Sequence, residues 1–585
     1  MIARRELLAL GSATFASCAR SDGTYFGNIA APDDASLVHI LNGDIDTLDP
    51  ARSTGSYEFY VAPAVLEGLT QYHPESATPM AALATHYEAN ADCTEYRFYL
   101  RGHPAPEGTR LPTSDDLPDT FVRRHAPTGV RPACWSDGRR ITAYDFVYAW
   151  RRLVDPQIAA PLGYPLAILE NAPEILARKL PASKLRVRAL NDFTFLVRLR
   201  SSTPFFIEFI TSYVYAAVPR HAIEAARARN AESSWTDPEH FVASGAFTLR
   251  EYRRYDRIRL VPNPHYYDAH LVRLKELLFI PVVDGTAVMN LYKAGRAALT
   301  PGLSLSPIYT PVLSRRKDYH STSGFGTILP CINTRRYPLD NLLLRYALNM
   351  AIDKKAVTDF LGPGYLPARS AVASLPQYPQ PASLKVDVDG RTYDVLSFDV
   401  QGARSLLSKA GFPDGADSRG NRLQIPYHFP MLPENRPKAE ILQQQWLHNL
   451  NIRAKLQAHE FNVHWRMVLE ADYTGLADYA LLPLYRDPNG FLDQFASDAN
   501  NNPSGWSDPH YVAELQTANA ILNRTERMEA LAACERRLLA AMPFLPIYHP
   551  AWGYLCKPFV RGFASHPFDV RAFKYIWIDK NWRPS

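Results

Sequence analysis

The chain has 585 residues, 46% of them apolar and 21% charged, which is longer than one hydrophobic core usually organises and too apolar for an intrinsically disordered polymer. Its net charge of +5 reflects 64 basic against 59 acidic residues with no run of five or six like charges, a pattern that argues against nucleic acid as a partner. Beyond the N-terminal segment no stretch reaches the roughly 18 uninterrupted apolar residues of a membrane helix.

Arg4-Arg5, the apolar run Leu7 to Ala16 and the small residues before Cys18 have the anatomy of a signal peptide. Arg4-Arg5-Glu-Leu-Leu resembles a twin-arginine motif and fits the general secretory route equally. Phe15-Ala-Ser-Cys18 resembles a lipobox, which makes Cys18 the candidate lipidation site. A periplasmic location, or one on the outer face of the cytoplasmic membrane, follows from these readings.

Ser36–Leu41 then predicts a strand, and Asp46-Thr-Leu-Asp-Pro50 a turn at its end. Val61–Leu69 has helical spacing, while Glu95–Arg101 and Asp192–Arg200 alternate as half-buried strands do. Ala143, Phe146, Val147, Trp150 and Leu153 share one face of a helix that Thr142 can cap. Asn341–Val357 predicts one helix with Leu343, Ala347, Met350 and Ala351 inward, and Val512–Leu522 and Arg527–Leu539 predict two more. Stretches 102–133, 361–384 and 411–436 are punctuated by Pro and Gly and read as loops or an insertion, the second being a place where a subdomain could attach. The alternation of strands and helices predicts an α/β architecture.

The cysteines at 93, 134, 331, 534 and 556 are too widely spaced for a zinc knuckle or a redox pair, although an exported chain can hold one or two disulfides. Cys534 shares helical register with Met528, Leu531 and Leu538, which predicts a buried thiol. No Gly-x-Ser-x-Gly elbow, His-Glu-x-x-His helix or Gly-rich phosphate loop is present. No catalytic residue, metal site or cofactor is therefore assigned, and an exported hydrolase is the disfavoured alternative.

Several phrases in order carry a resemblance. They are Asp46-Thr-Leu-Asp-Pro50, Leu66-Glu-Gly-Leu-Thr70, Trp135-Ser-Asp-Gly138, Ser244-Gly-Ala-Phe-Thr-Leu249, Asn263-Pro-His-Tyr-Tyr267, Arg345 to Asp353, Asp487-Pro488 with Phe491-Leu492, and Lys557-Pro558. Together they resemble the periplasmic oligopeptide- and dipeptide-binding proteins that serve ABC importers, most closely the oligopeptide-binding branch. The resemblance implies a periplasmic-binding-protein-like type II fold, with two lobes and an extra subdomain around a ligand cleft. On that pattern lobe I takes 35–55, 183–275 and 490–585, the extra subdomain 56–182, and lobe II 276–489. It implies a monomer that captures a peptide or peptide-like ligand and delivers it to an ABC permease, with membrane contact only through a lipid anchor; a sensor using the same cleft remains open. Most of the phrases read as fold determinants, with Asp145 and Asp353 near helix ends or in solvent.

The ligand-facing resemblance falls on Glu58 and Phe59, on Tyr164, and on Asp478–Leu492. Relatives carry Gly-Trp-x-x-Asp-Tyr there, whose aspartate pairs with the ligand's α-ammonium group. Here the stretch is Ala480-Leu-Leu-Pro-Leu-Tyr485, so Leu484 stands at the aspartate position beside Tyr485, and Pro483 removes a backbone donor. Either another acid such as Asp487 or Glu58 takes over, or the ligand lacks a free amine, as an amine-blocked cell-wall fragment would. Arg486 is a candidate for a carboxylate or phosphate, or else pairs with Asp487. Trp506 is a candidate for the cleft wall or, equally, for a solvent-shielding place in the core.

Overall fold

The computed structural model describes residues 24–583 except 55–56, 105–106, 119, 122–130, 303, 306, 433–434 and 497–501. The signal-like segment and Cys18 lie outside the described residues. Two large hydrophobic cores organise the rest.

The first core begins with Ser36–Leu41, which pairs in parallel with Glu276–Pro281; Arg257–Pro262 and then Phe247–Arg253 complete a four-stranded sheet by antiparallel pairing. The intervening chain builds a five-stranded antiparallel sheet in the order Thr109–Arg110, Ala84–Ala89, Glu95–Leu100, Thr194–Arg198, Val187–Asn191. Helix Ala143–Val154 covers this sheet, its Trp150 ring standing edge-on to Phe195 at 5.1 Å while the indole N–H donates to the Tyr215 carbonyl at 3.0 Å. Asp145 accepts from the Thr142 N–H at 2.8 Å and so closes the helix start. Both sheets contribute to one continuous core, so the expected subdomain 56–182 has no separate interior, and its sheet extends to Arg198.

The second core surrounds a six-stranded sheet in the order Leu366–Pro367, Tyr548–His549, Thr327–Ile332, Leu476–Leu481, Gln424–Pro430, Arg453–His459. Helices Pro509–Asn519 and Arg524–Ala541 pack into it, with Cys534 buried as expected. The lobes therefore divide differently from the pattern above. Residues 276–281 belong to the first sheet, and 491–495 with 511–548 pack in the second core because the inward faces of their helices meet Leu492, Phe495 and Phe544 there.

Two local expectations also change. Gln424–Pro430, read as loop, is a strand between two others, with Ile425, Tyr427 and Phe429 buried; Pro426 and Pro430 disguised it, since proline is rare in such a position. The helix expected over Asn341–Val357 is two, Leu342–Met350 and Lys354–Leu361, with Leu343 only half-buried. Asp353 restarts the second by accepting from the Ala356 N–H at 3.1 Å. Helix Glu58–Val65 likewise ends before the expected Leu69. All five described cysteines are free thiols.

The recurrent phrases fold into each other. Glu67 is buried where it accepts from the hydroxyls of Tyr266 and Tyr267 at 2.5 and 2.7 Å, its own N–H donates to Ser244 Oγ at 2.9 Å, and Asn263 donates to the Gly245 carbonyl at 2.9 Å. Asp49 takes both nitrogens of the buried Arg152, at 2.8 and 3.0 Å, and the Trp235 N–H at 3.2 Å. Burial alone would raise the Asp49 carboxyl; Arg152 holds it below its ordinary range.

Two antiparallel strands, Tyr319–Ser323 and Ala551–Leu555, carry the chain between the cores and pair with each other over five residues. Beside them Asp569 gathers Tyr60 from the first lobe, the Gly302 N–H at 2.8 Å, and the buried Arg571 guanidinium. A Cβ on Gly302 would lie 2.7 Å from that carboxylate, which is why glycine stands there.

Candidate functional site

A cavity of about 1570 Å³ lies between the two cores. That exceeds the roughly 300–1,000 Å³ usual for small-molecule sites. Its walls are rich in aromatic rings: Tyr57, Tyr60, Tyr72 and Tyr213 on the first lobe, Trp465 and Tyr479 on the second. The Tyr72 hydroxyl of the first lobe donates to the carbonyl of Leu484, which packs with Tyr485 against the first core. Tyr479 on the second lobe donates to the Gln494 side chain at 2.8 Å, and Phe491 and Leu492 lie in the second core. The segment 484–494 thus touches both lobes.

Strand Leu476–Leu481 supplies much of the second-lobe wall. Thr327–Ile332 pairs with all of it, while Gln424–Pro430 pairs only with Leu476 and Ala477. Its later half has a strand neighbour on one side only, and Tyr479, Ala480 and Leu482 face the cavity there.

Of the residues expected at the ligand, Phe59, Tyr164, Leu484, Tyr485 and Trp506 line the cavity. Tyr485 is mainly a core residue: its ring lies 5.3 Å from Phe209 and 6.0 Å from Phe205, and its hydroxyl accepts from Asn489 at 2.9 Å. Glu58, Arg486 and Asp487 are not on the wall. Glu58 opens a helix, not a loop, and its buried carboxylate accepts from the N–H groups of Asp46 and Tyr57 at 2.9 and 3.2 Å; burial raises its pKa. Asp487 pairs with Arg527, 2.7 Å from each terminal nitrogen, and not with Arg486. Arg486 is half-buried, and its pKa is lowered by burial and by the nearby Arg524.

Sequence reasoning missed Asp493. It follows the short helix Asn489–Leu492, opposite the buried Phe491 and Leu492, and its side chain is open to the cavity. The side chain is exposed to solvent within the cavity, and desolvation by the protein around it pushes the carboxyl up to about 6. Of the other acids on the wall, Asp478 is tied to Lys438 at 2.5 Å and Asp569 to Arg571. Arg335, Arg466, Asp46 and Glu470 add charge around the same cavity. An isolated aspartate after Phe491-Leu492 carries no sequence pattern that announces such a position.

Comparison with known proteins places these features in a family. Residues 130–503 match the model of the bacterial extracellular solute-binding proteins, family 5. The periplasmic oligopeptide-binding protein OppA of Salmonella typhimurium is 26% identical over 594 residues, covering 99% of each chain. The structure of the Escherichia coli murein tripeptide binding protein MppA superposes with a TM-score of 0.77 at 24% identity, over 94% of this chain and 99% of that one. That of Haemophilus influenzae OppA in complex with RPPGFSPFR gives 0.76 at 25% identity, over 94% and 100%.

Proposed function

The chain belongs to the bacterial extracellular solute-binding proteins of family 5, and from that membership we propose that it captures an oligopeptide or peptide-like ligand between its lobes and delivers it to an ABC permease. One observation carries this reading: a cavity of about 1570 Å³ shut between two lobes that two paired strands connect. Such a space suits an extended chain of several residues better than a compact metabolite. The one-sided later half of Leu476–Leu481 offers backbone groups to an extended ligand, as in recognition by strand addition, and the aromatic walls accept varied side chains. Pro483 shortens that edge by one donor. Phe59, Tyr164, Leu484 and Trp506 are the expected contacts, whereas Glu58, Arg486 and Asp487 lie off the wall.

Native mass spectrometry of protein purified without denaturation is expected to reveal bound species of two to five residues. A ligand at a hundredfold excess over its Kd should stabilise the fold by about 2.7 kcal/mol, read as a rise in Tm. Absence of both would remove the peptide reading.

The relatives are periplasmic, and no described helix is long and apolar enough to cross a membrane. A lipid at Cys18 would hold the protein at the membrane while leaving the lobes free. Fatty-acid labelling that vanishes in Cys18→Ser is the expected result, and equal labelling of both proteins would dismiss the anchor.

A further inference from the structure

We propose that Asp493, and not position 484, receives a primary ammonium group of the ligand, so that the closed cavity selects amine-bearing peptides. This rests on the peptide reading above. Asp493 and Leu484 share one end of the cavity. The helix that begins at Asn489 brings the Asp493 N–H onto the Asn489 carbonyl, and Gly490, three residues earlier, is so close to Pro483 that a Cβ there would lie 2.7 Å from it. The carboxylate missing from position 484 is thus supplied from the next turn of chain.

The other acids considered are committed. Asp487 is held by Arg527, and Glu58 by two backbone N–H groups. Around Asp493 the titratable neighbours are Tyr164 from the first lobe, Tyr485, which packs in the first core, and Tyr511 from the second core, and burial raises all three phenols so that they stay neutral. This part of the cavity therefore holds a carboxylate and neutral rings, and among the described residues no cation pairs with Asp493. An ammonium group meets both needs: it forms a charge-assisted hydrogen bond with the carboxylate and can lie against the ring of Tyr164 or Tyr485, both of which face the cavity. Tyr164 lines the cavity from the first lobe near Asp493, so an amine held there lies between the two lobes.

The test uses a random tripeptide library in three forms: free amine, N-acetylated, and N-acetylated without lysine. Equilibrium dialysis with mass-spectrometric readout is run on wild type and on Asp493→Asn. Wild type should retain the free-amine form well above the acetylated form that lacks lysine. Asp493→Asn should lose about ten- to a hundredfold in affinity for it, the loss expected when a charged hydrogen bond is removed. Retention of the lysine-containing acetylated form, lost in Asp493→Asn, would place a side-chain amine at the site instead of the amino terminus. In wild type the affinity should fall about tenfold per pH unit below about 6, because the ammonium must then displace a proton, while Asp493→Asn stays flat. The unliganded variant should keep or raise its Tm at neutral pH, since it no longer buries a charge, and this separates lost recognition from misfolding. Equal retention of amine and acetylated forms, or an unchanged preference in Asp493→Asn, overturns the proposal and leaves the peptide reading standing. Retention of no form overturns both.

Discussion

Asp569→Ala is expected to lower the unfolding free energy by about 3–5 kcal/mol, the usual consequence of leaving a buried charge without its partner. The charge in question is Arg571, which is 2% exposed and has no acidic partner other than Asp569 among the described ion pairs. Its guanidinium lies against the rings of Tyr554 and Phe563, at 4.9 and 5.1 Å, and its Nε and Nη1 already lack acceptors. Rings cannot replace a carboxylate at that depth. The same substitution frees the Tyr60 hydroxyl and the Gly302 N–H, which belong to the first lobe and to the chain that approaches the crossing strands. The cost therefore falls at the junction on which closure depends, and peptide affinity should fall together with the urea midpoint. Tyr60→Phe removes one hydrogen bond and leaves the ion pair, so it should cost only about 1 kcal/mol. A loss of under 1 kcal/mol in Asp569→Ala would mean that Arg571 finds water and that the junction is not held by this carboxylate.

What could be read in the sequence follows from what patterns record. Ser36–Leu41, Glu95–Leu100 and Ala143–Val154 each bury one side against a neighbour, so their periodicity shows in the residues themselves. Gln424–Pro430 alternates in the same way, but its two prolines are also the strongest local sign against a central strand. The shared cluster of Glu67, Ser244, Asn263 and Tyr266 explains why scattered phrases pointed to one fold: they recur because they contact each other. The site was legible only in part. Aromatic residues at 59, 164 and 485 were anticipated, whereas the role of Asp493 depends on a cavity built by both lobes, and the partner of Asp487 lies 40 residues away on another helix.

That partner gives the second large effect. Arg527→Ala should cost about 3–5 kcal/mol, because Asp487 is 4% exposed and would be left with only the Asn489 N–H, at 2.9 Å, as a partner. Arg527 also donates to Asn519 at 3.2 Å and stands 4.4 Å over the Phe205 ring of the first core, so the pair pins the turn after Leu484 against both lobes. Stability and placement can be separated. Replacing both charges by apolar residues of similar volume, Asp487→Leu with Arg527→Met, removes the desolvation penalty along with the attraction and should recover most of the lost stability. It also removes the acceptor at the start of helix Asn489–Leu492, which carries Asp493 to the cavity. The double variant should therefore denature near the wild-type midpoint in urea and still bind amine-bearing peptides about tenfold or more weakly, since misplacing a charge-assisted hydrogen bond forfeits about 1.5 kcal/mol or more. Wild-type affinity in that variant would show that the ion pair serves the fold alone and that the turn holds Asp493 in place without it.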